Sequence, residues 1–259
     1  MLDLKNINYK LSKNQDDDRS NFKEIIYRDY LFKKFNNKNF VEEIDNFSKY
    51  ISPNIFRKVL IKIKLYEMTK NISGSIVECG VGSGAGFFLW ILLKEILEPY
   101  NHTKKIIGFD TFSGFSNVHK NDHGPLKNKE LKKNGLNYSN YKELISLMKV
   151  KQTNYPLPHI NQMELIKGCA TKTINSYFKK NKSTLVSILY CDFDNYTPTM
   201  AALKLITKHM CKGSVIYFDQ VNHEFWPGET LAIKKFFNLN KLKLERLDLN
   251  GGTGAFVRI

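Results

Sequence analysis

Residues 75–86, Ser-Ile-Val-Glu-Cys-Gly-Val-Gly-Ser-Gly-Ala-Gly, restrict what this chain can fold into more than any other stretch. A short apolar run ends on an acidic residue, Glu78, and is followed by Gly80, Gly82, Gly84 and Gly86. A strand that turns sharply into a helix needs residues without a Cβ, both for the turn and to let a ligand reach the main chain. The helix beginning near Phe87 aims its unsatisfied amides into the same space. The segment therefore predicts the first unit of a parallel α/β sheet, with an adenosine-type ligand at the turn. Gly80-Val-Gly82-Ser-Gly84-Ala85 also satisfies the loose dinucleotide pattern, so the glycines alone do not separate the ligand classes. Glu78 does: a carboxylate there repels a pyrophosphate and attracts the cationic amino group and sulfonium of S-adenosyl-L-methionine.

One helix and one strand later, Lys104–Phe109 reads as a buried strand ending on Asp110. An acidic ribose ligand is expected about 20 residues beyond such a glycine turn, and Asp110 is the candidate. The plainer alternative makes Glu78 and Asp110 ordinary polar strand ends beside a glycine-rich turn.

Strands and helices alternate along the rest of the chain: strand Met163–Lys167, turn at Gly168, helix Thr171–Phe178, strand Leu185–Tyr190, helix Thr197–Met210, strand Ser214–Phe218 and helix Glu229–Phe237. Segments near Leu242–Leu249 and Ala255–Ile259, joined by Asn250-Gly251-Gly252, read as a closing hairpin. The pattern predicts a doubly wound, mostly parallel, seven-stranded sheet with an antiparallel C-terminal edge strand. Before the first strand, Ser52-Pro53 reads as a helix start, with Ile55, Val59, Leu60, Ile63 and Met68 on the buried face. Residues 1–50 are polar, with an amphipathic pattern around Phe22–Phe40 that suggests a helical extension acting as lid or dimer contact. Residues 51–259 form the main domain, and its irregular insertion at 112–160 reads as a substrate lid.

At 259 residues and 42% apolar content, one generous α/β domain accounts for the chain. The longest apolar run, Phe87–Leu93, is far too short to span a bilayer, and the N-terminal residues show no signal-peptide pattern, so a cytoplasmic setting is expected. Cys79, Cys169, Cys191 and Cys211 lack any C-x-x-C spacing and read as reduced thiols without a zinc site. A net charge of +15 favours an anionic substrate. The lysines are scattered, however, in an Asn-, Ile- and Tyr-rich composition of the kind an AT-rich genome produces. No basic and aromatic interleaving marks a nucleic-acid surface.

Ligands of open α/β sheets bind at the carboxyl ends of the strands. Here those ends are acidic: Glu78, Asp110, Asp192, Asp194 and Asp219. Asp192 and Asp219, from neighbouring strands, can converge on a hard cation such as Mg²⁺. Asp194 or Thr197 has a simpler reading as a cap on the following helix.

Over about residues 74–237 the chain resembles the macrocin O-methyltransferase family and its relatives, which methylate sugar hydroxyls. The resemblance rests on Val77-Glu78-Cys79-Gly80-Val81-Gly82, on Gly108-Phe109-Asp110-Thr111-Phe112-Ser113-Gly114-Phe115, and on Leu165-Ile166-Lys167-Gly168 with Thr171-Lys172-Thr173-Ile174. It extends to Asp192-Phe193-Asp194 with Tyr196, Pro198 and Thr199, and to Phe218-Asp219 through Asn222 and Trp226-Pro227-Gly228-Glu229-Thr230. It implies a class I, S-adenosyl-L-methionine-dependent O-methyltransferase acting on a nucleotide-linked deoxyhexose or a surface glycan precursor in polysaccharide biosynthesis. In it Glu78, Gly80, Gly82 and Gly84 face the methionyl part of the cofactor and Asp110 holds the ribose. Thr111, Phe112 and Gly168 line the same pocket, Cys169 and Ala170 lie beside the adenine, and Asp192 borders both cofactor and acceptor. The family's Mg²⁺ ligands map to Asp192, Asp219 and the next position, usually acidic, which here is Gln220. Losing that charge weakens a metal site and shifts work to a general base, for which His223 is the candidate, with His119 and His123 as alternatives. The remaining readings are methylation of another acceptor, a small natural product or nucleic acid, and a binding module that has lost catalysis. A homo-oligomer is compatible with all of them.

Overall fold

The computed structural model describes residues 46–259 apart from 127, 248, 250 and 251. The expected helices around Phe22–Phe40, and nearly all of the 1–50 extension, lie outside the described residues.

Helix α1 spans Pro53–Thr69 and opens as its sequence dictates: proline occupies the first turn, and the Ser52 hydroxyl accepts the Ile55 amide at 3.3 Å. Strand β1 (Ser75–Cys79) leads through the glycine turn into α2 (Ala85–Leu97), then β2 (Ile106–Asp110). The insertion follows, carrying a 3₁₀ turn at Lys120–Asp122 and helix α3 (Tyr141–Asn154). The remaining elements are β3 (Met163–Lys167), α4 (Ala170–Lys180), β4 (Val186–Cys191), α5 (Tyr196–Ile206), β5 (Met210–Phe218), α6 (Gly228–Phe236) and β6 (Ala255–Arg258).

The strands form one sheet in the order β3-β2-β1-β4-β5-β6. All pairs are parallel except β5–β6, which is antiparallel. Both faces are covered, so β1 and β4 are buried along their whole lengths, as central parallel strands are. One face carries Ile76, Ile106, Ile188 and Val215 against Leu65, Trp90, Ile91 and Leu144 of α1, α2 and α3. The other carries Val77, Ile107, Leu189 and Ile216 against Ile174, Leu203 and Ile233 of α4, α5 and α6. Strand order reverses between β1 and β4, and the crevice at that reversal is where this architecture binds ligands.

The described sheet has six strands, not seven. The segment read as a strand at 242–249 contributes one antiparallel bridge, Glu245 to Phe256. The reason lies in its apolar spacing: Leu242 and Leu244 share one face of a strand, while Leu247 and Leu249 fall out of phase with them. A strand tolerates no such slip, because a one-residue shift exchanges its faces. The α1 stripe also differs from expectation. Its buried residues are Ile61, Lys62, Leu65, Tyr66 and Thr69, while Ile55 is 47% exposed. The lysine inside that stripe, Lys62, is paired with Glu78 of β1.

Gly80 tests how tightly the turn is built. It sits at φ +91°, and an added Cβ would collide with the Asp192 carbonyl oxygen at the end of the neighbouring strand. Gly80→Ala is expected to destabilise the fold by about 2–5 kcal/mol, read as a lower urea midpoint at unchanged slope.

Candidate active site

The glycine turn puts backbone, rather than side chains, against the crevice. Gly80, Gly82 and Gly84 all have positive φ, and Gly84 caps α2 with no side-chain acceptor on its first amides. The Asp110 carboxylate fixes the turn against the next loop: Oδ2 accepts the Gly82 amide at 2.9 Å and Oδ1 accepts the Phe112 amide at 2.6 Å. A carboxylate has sites for about four hydrogen bonds, so beyond these two and a longer 3.5 Å contact from the Thr111 hydroxyl it keeps room for a ligand hydroxyl. The Thr111 hydroxyl donates to the Gly114 carbonyl at 2.5 Å, and buried Phe112 packs on Tyr141 with ring centroids 4.7 Å apart. The Gly168 amide donates to the Asp110 carbonyl at 2.8 Å. That bond ties Cys169 and Ala170, at the start of α4, to the end of β2. The expected cofactor residues Gly80, Gly82, Gly84, Asp110, Thr111, Phe112, Gly168, Cys169 and Ala170 thus follow the ends of three adjacent strands.

Glu78 is placed differently from its expected role. It is 3% exposed, and its Oε2 accepts from the Lys62 ammonium at 2.8 Å. Lys62 also lies over two rings, 3.6 Å from the Tyr190 centroid and 4.4 Å from that of Trp90. Burial drives the Glu78 carboxyl up and the Lys62 ammonium down, each partly offset by the partner's charge. An added Cβ at Gly86 would meet this pair, so that glycine makes room for an ion pair beneath the turn. The charge expected to select a cationic ligand is matched from within the protein.

The acidic corner lies on the other side of the crevice. Asp192 and Asp194 follow β4, and Asp219 follows β5. The Glu229 carboxylate of α6, fully buried, holds these two loops together: it accepts the amides of Phe193 at 3.1 Å, Asp194 at 3.2 Å and Gln220 at 3.0 Å. Asp219 Oδ1 accepts from the Tyr190 hydroxyl at 3.3 Å, and Oδ2 faces the Lys58 ammonium at 3.5 Å. Burial and the neighbouring Asp219 push the Asp192 carboxyl up to about 7. Asp194 and Glu229 are raised in the same way, and the carboxylates of Asp219 and Asp192 hold Lys58 firmly protonated.

The insertion closes over both halves. Asp122, 1% exposed, accepts the Tyr196 amide at 2.5 Å and the His119 amide at 2.6 Å, so a residue of the insertion caps α5 where Asp194 or Thr197 was the expected cap. The His119 ring stacks on Tyr196 with centroids 4.9 Å apart, and His123 is exposed. Tyr138, 63% exposed, stands over the glycine turn, its ring 3.3 Å from where a Cβ on Gly82 would lie. His223 is 5% exposed, and its Nδ1 accepts the Phe225 amide at 3.2 Å. A neutral imidazole accepting at Nδ1 carries its proton on Nε2, which leaves no lone pair to take a substrate proton.

A divalent cation here would draw on Asp192, Asp219 and Gln220. The donor set does not fit a dedicated site: the Gln220 Oε1 is 3.2 Å from the Thr253 hydroxyl, and a lysine ammonium already faces Asp219. Among the described residues no group of three His, Cys, Asp or Glu side chains is arranged to hold a metal. Next to this corner, Val221, Asn222, Leu244, Arg246, Gly252, Thr253 and Ala255 line a cavity of about 420 Å³. Thr253 joins it to the corner, its hydroxyl 2.8 Å from the Asp219 carbonyl oxygen.

Sequence reasoning did not single out Lys58, Lys62, Glu229, Asp122 or Tyr138 as parts of the site. The spacing of Lys58 and Lys62, i and i+4 on the helix before β1, is the signal that was there to read.

The family model of the macrocin-O-methyltransferases (TylF) matches residues 60–258. Among solved structures, the crystal structure of CalS11, calicheamicin methyltransferase, is 27% identical over 92% of this chain and 93% of its own, with a TM-score of 0.85. The apo structure of CalS11, described as TDP-rhamnose 3'-O-methyltransferase, is 26% identical over 92% of this chain and 95% of its own, with a TM-score of 0.77. The O-methyltransferase NovP, 16% identical over 75% of this chain and 78% of its own at a TM-score of 0.50, shares the fold. No curated protein matches the sequence.

The buried Lys62–Glu78 pair yields a stability test. Lys62→Met or Glu78→Leu alone strands a charge and is expected to cost about 3–5 kcal/mol, whereas the double variant costs less than either single one. Chemical denaturation of the three variants measures this.

Proposed function

The chain belongs to the macrocin O-methyltransferase family, and on that premise we propose that it methylates a sugar hydroxyl of a nucleotide-linked deoxyhexose or a surface glycan precursor. The observation that carries the proposal is the pairing of two half-sites at the strand-order reversal: a glycine-rich turn clamped by Asp110 on one side, and the Asp192–Asp219 corner on the other.

In this reading the backbone of Gly80, Gly82 and Gly84 carries the methionyl part of S-adenosyl-L-methionine, Asp110 its ribose, and Gly168, Cys169 and Ala170 its adenine side. The bound cofactor supplies a sulfonium methyl, whose carbon bonds to the acceptor oxygen as the S–C bond breaks and its electron pair stays on sulfur. The chain's own residues align that oxygen and take its proton. Asp192 is the general base we propose, ahead of His223: it follows β4 at the strand-order reversal with its carboxyl raised toward neutrality, while the His223 Nδ1 is committed to the Phe225 amide. The neighbouring cavity, with Arg246 on its wall, suits the anionic part of a nucleotide-linked sugar.

The insertion at 112–160 acts as the lid, with Tyr138 over the cofactor turn and Asp122 as its anchor. We assign the enzyme to polysaccharide biosynthesis in the cytoplasm; no helix among the described residues is long and apolar enough to cross a membrane. CalS11, at 27% identity, supports a sugar acceptor through the substrate that its description states.

The test is incubation with methyl-labelled S-adenosyl-L-methionine and a panel of nucleotide-linked deoxyhexoses, free sugars, small phenols and RNA. Label in a nucleotide-linked sugar is expected; label in RNA or a phenol alone overturns the acceptor class. Asp192→Asn is expected to lower kcat by about 10²–10⁴-fold. A base works deprotonated, so wild-type kcat/KM rises with pH through about 7, a limb belonging to the coupled Asp192–Asp219 cluster, and the variant loses that limb.

A further inference from the structure

We infer that the Lys58 ammonium supplies, from within the protein, the positive charge that a divalent cation would bring to Asp192, Asp219 and Gln220. The inference rests on the methyltransferase reading of the site.

The geometry starts on α1, which packs across β4 and β5. Lys58 and Lys62 lie one helical turn apart and so point to the same side. Lys62 is fully engaged inside, at 2.8 Å from Glu78, and Lys58 is directed at the next carboxylate outward, 3.5 Å from Asp219 Oδ2. Among the described residues, Lys58 is the cation that the structure pairs with this corner.

Two features fit an ammonium there better than a metal. The first is charge: beside Asp192 and Asp219, Gln220 offers a neutral amide, and its oxygen lies 3.2 Å from the Thr253 hydroxyl. A divalent ion needs about six oxygen ligands in close geometry, whereas an ammonium needs only acceptors within hydrogen-bond reach. The second is availability. A contact of 3.5 Å is longer than the ~2.8 Å of a tight charge-assisted bond, and 51% of the Lys58 side chain is exposed. With one N–H turned to Asp219, its other two donors can reach an acceptor oxygen while its charge offsets the carboxylates. An N–H⁺ aimed at the acceptor hydroxyl stabilises negative charge as the proton leaves for Asp192, which is the electrostatic service a bound cation gives an alkoxide.

The test titrates Mn²⁺ into the full-length protein, wild type and Lys58→Met, by electron paramagnetic resonance, and repeats methyl transfer after exhaustive chelation. Wild type is expected to retain its rate after chelation and to bind Mn²⁺ only in the millimolar range. Lys58→Met is expected to lose about 10²-fold in kcat. It should also gain at least about tenfold in Mn²⁺ affinity, because a positive charge beside two carboxylates has gone. Wild-type activity that chelation abolishes and Mg²⁺ restores overturns the inference, as does micromolar Mn²⁺ binding by wild type. Should Lys58→Met not fold, the two wild-type arms decide. S-adenosylhomocysteine binding on the same samples separates the two failures: its absence refutes the methyltransferase reading, whereas its presence with tight Mn²⁺ binding refutes only the role of Lys58.

Discussion

The site depends on how carboxylates at the ends of β1, β4 and β5 are kept together. Glu78, Asp192, Asp194, Asp219 and Glu229 converge where strand order reverses, and bringing such groups out of water into mutual repulsion is costly unless each finds a partner. Helix α1 answers with two lysines a turn apart, Lys62 buried on Glu78 and Lys58 at the mouth on Asp219. Backbone amides answer for Glu229, which receives three of them from two loops. The elements that hold the sheet ends in place therefore also set the charge of the pocket. The resulting field is less negative than a count of acidic residues suggests, and in the proposed reading discrimination between ligands falls to shape: the glycine-rich turn, the Asp110 clamp and the insertion.

Much of this was legible in the sequence. The run from Ser75 to Gly86 and the strand closing on Asp110 yield the first βαβ unit, and β3 falls at Met163–Lys167, the predicted residues. Short apolar strands bounded by glycine and polar turns carry a strong local signal. The seventh strand failed because four leucines between 242 and 249 change phase midway, and a simple count of apolar residues does not register that change. Lys62 was hidden for a different reason. A lysine on a helix reads as solvent-facing unless its partner is known, and that partner, Glu78, lies across a packing interface and beyond a turn. Asp122 and Glu229 were hidden in the same way, since each acts on amides more than thirty residues distant in sequence. His223 stood out because it follows Asp219 closely, but proximity along the chain does not show that a bond to the Phe225 amide occupies the lone pair a base would use.

The insertion between β2 and β3 links the two half-sites. It lies against the glycine turn through Tyr138 and caps α5 through Asp122, so any movement of it alters the turn and the acidic corner together. Coupling of this kind suits methyl transfer, in which a wrongly placed oxygen does not react and stray water must be excluded. The net charge of +15 acts over longer distances, setting a positive field around a molecule whose pocket is itself acidic.

The most direct measurement of the central claim is a crystal structure of the protein soaked with S-adenosylhomocysteine and NAD together. The account expects the thioether nucleoside to be bound, its ribose on Asp110, its homocysteine chain along Gly80–Gly84 and its sulfur facing Asp192. A pyrophosphate seated on the amides of that turn, with no thioether nucleoside in the crevice, would contradict it.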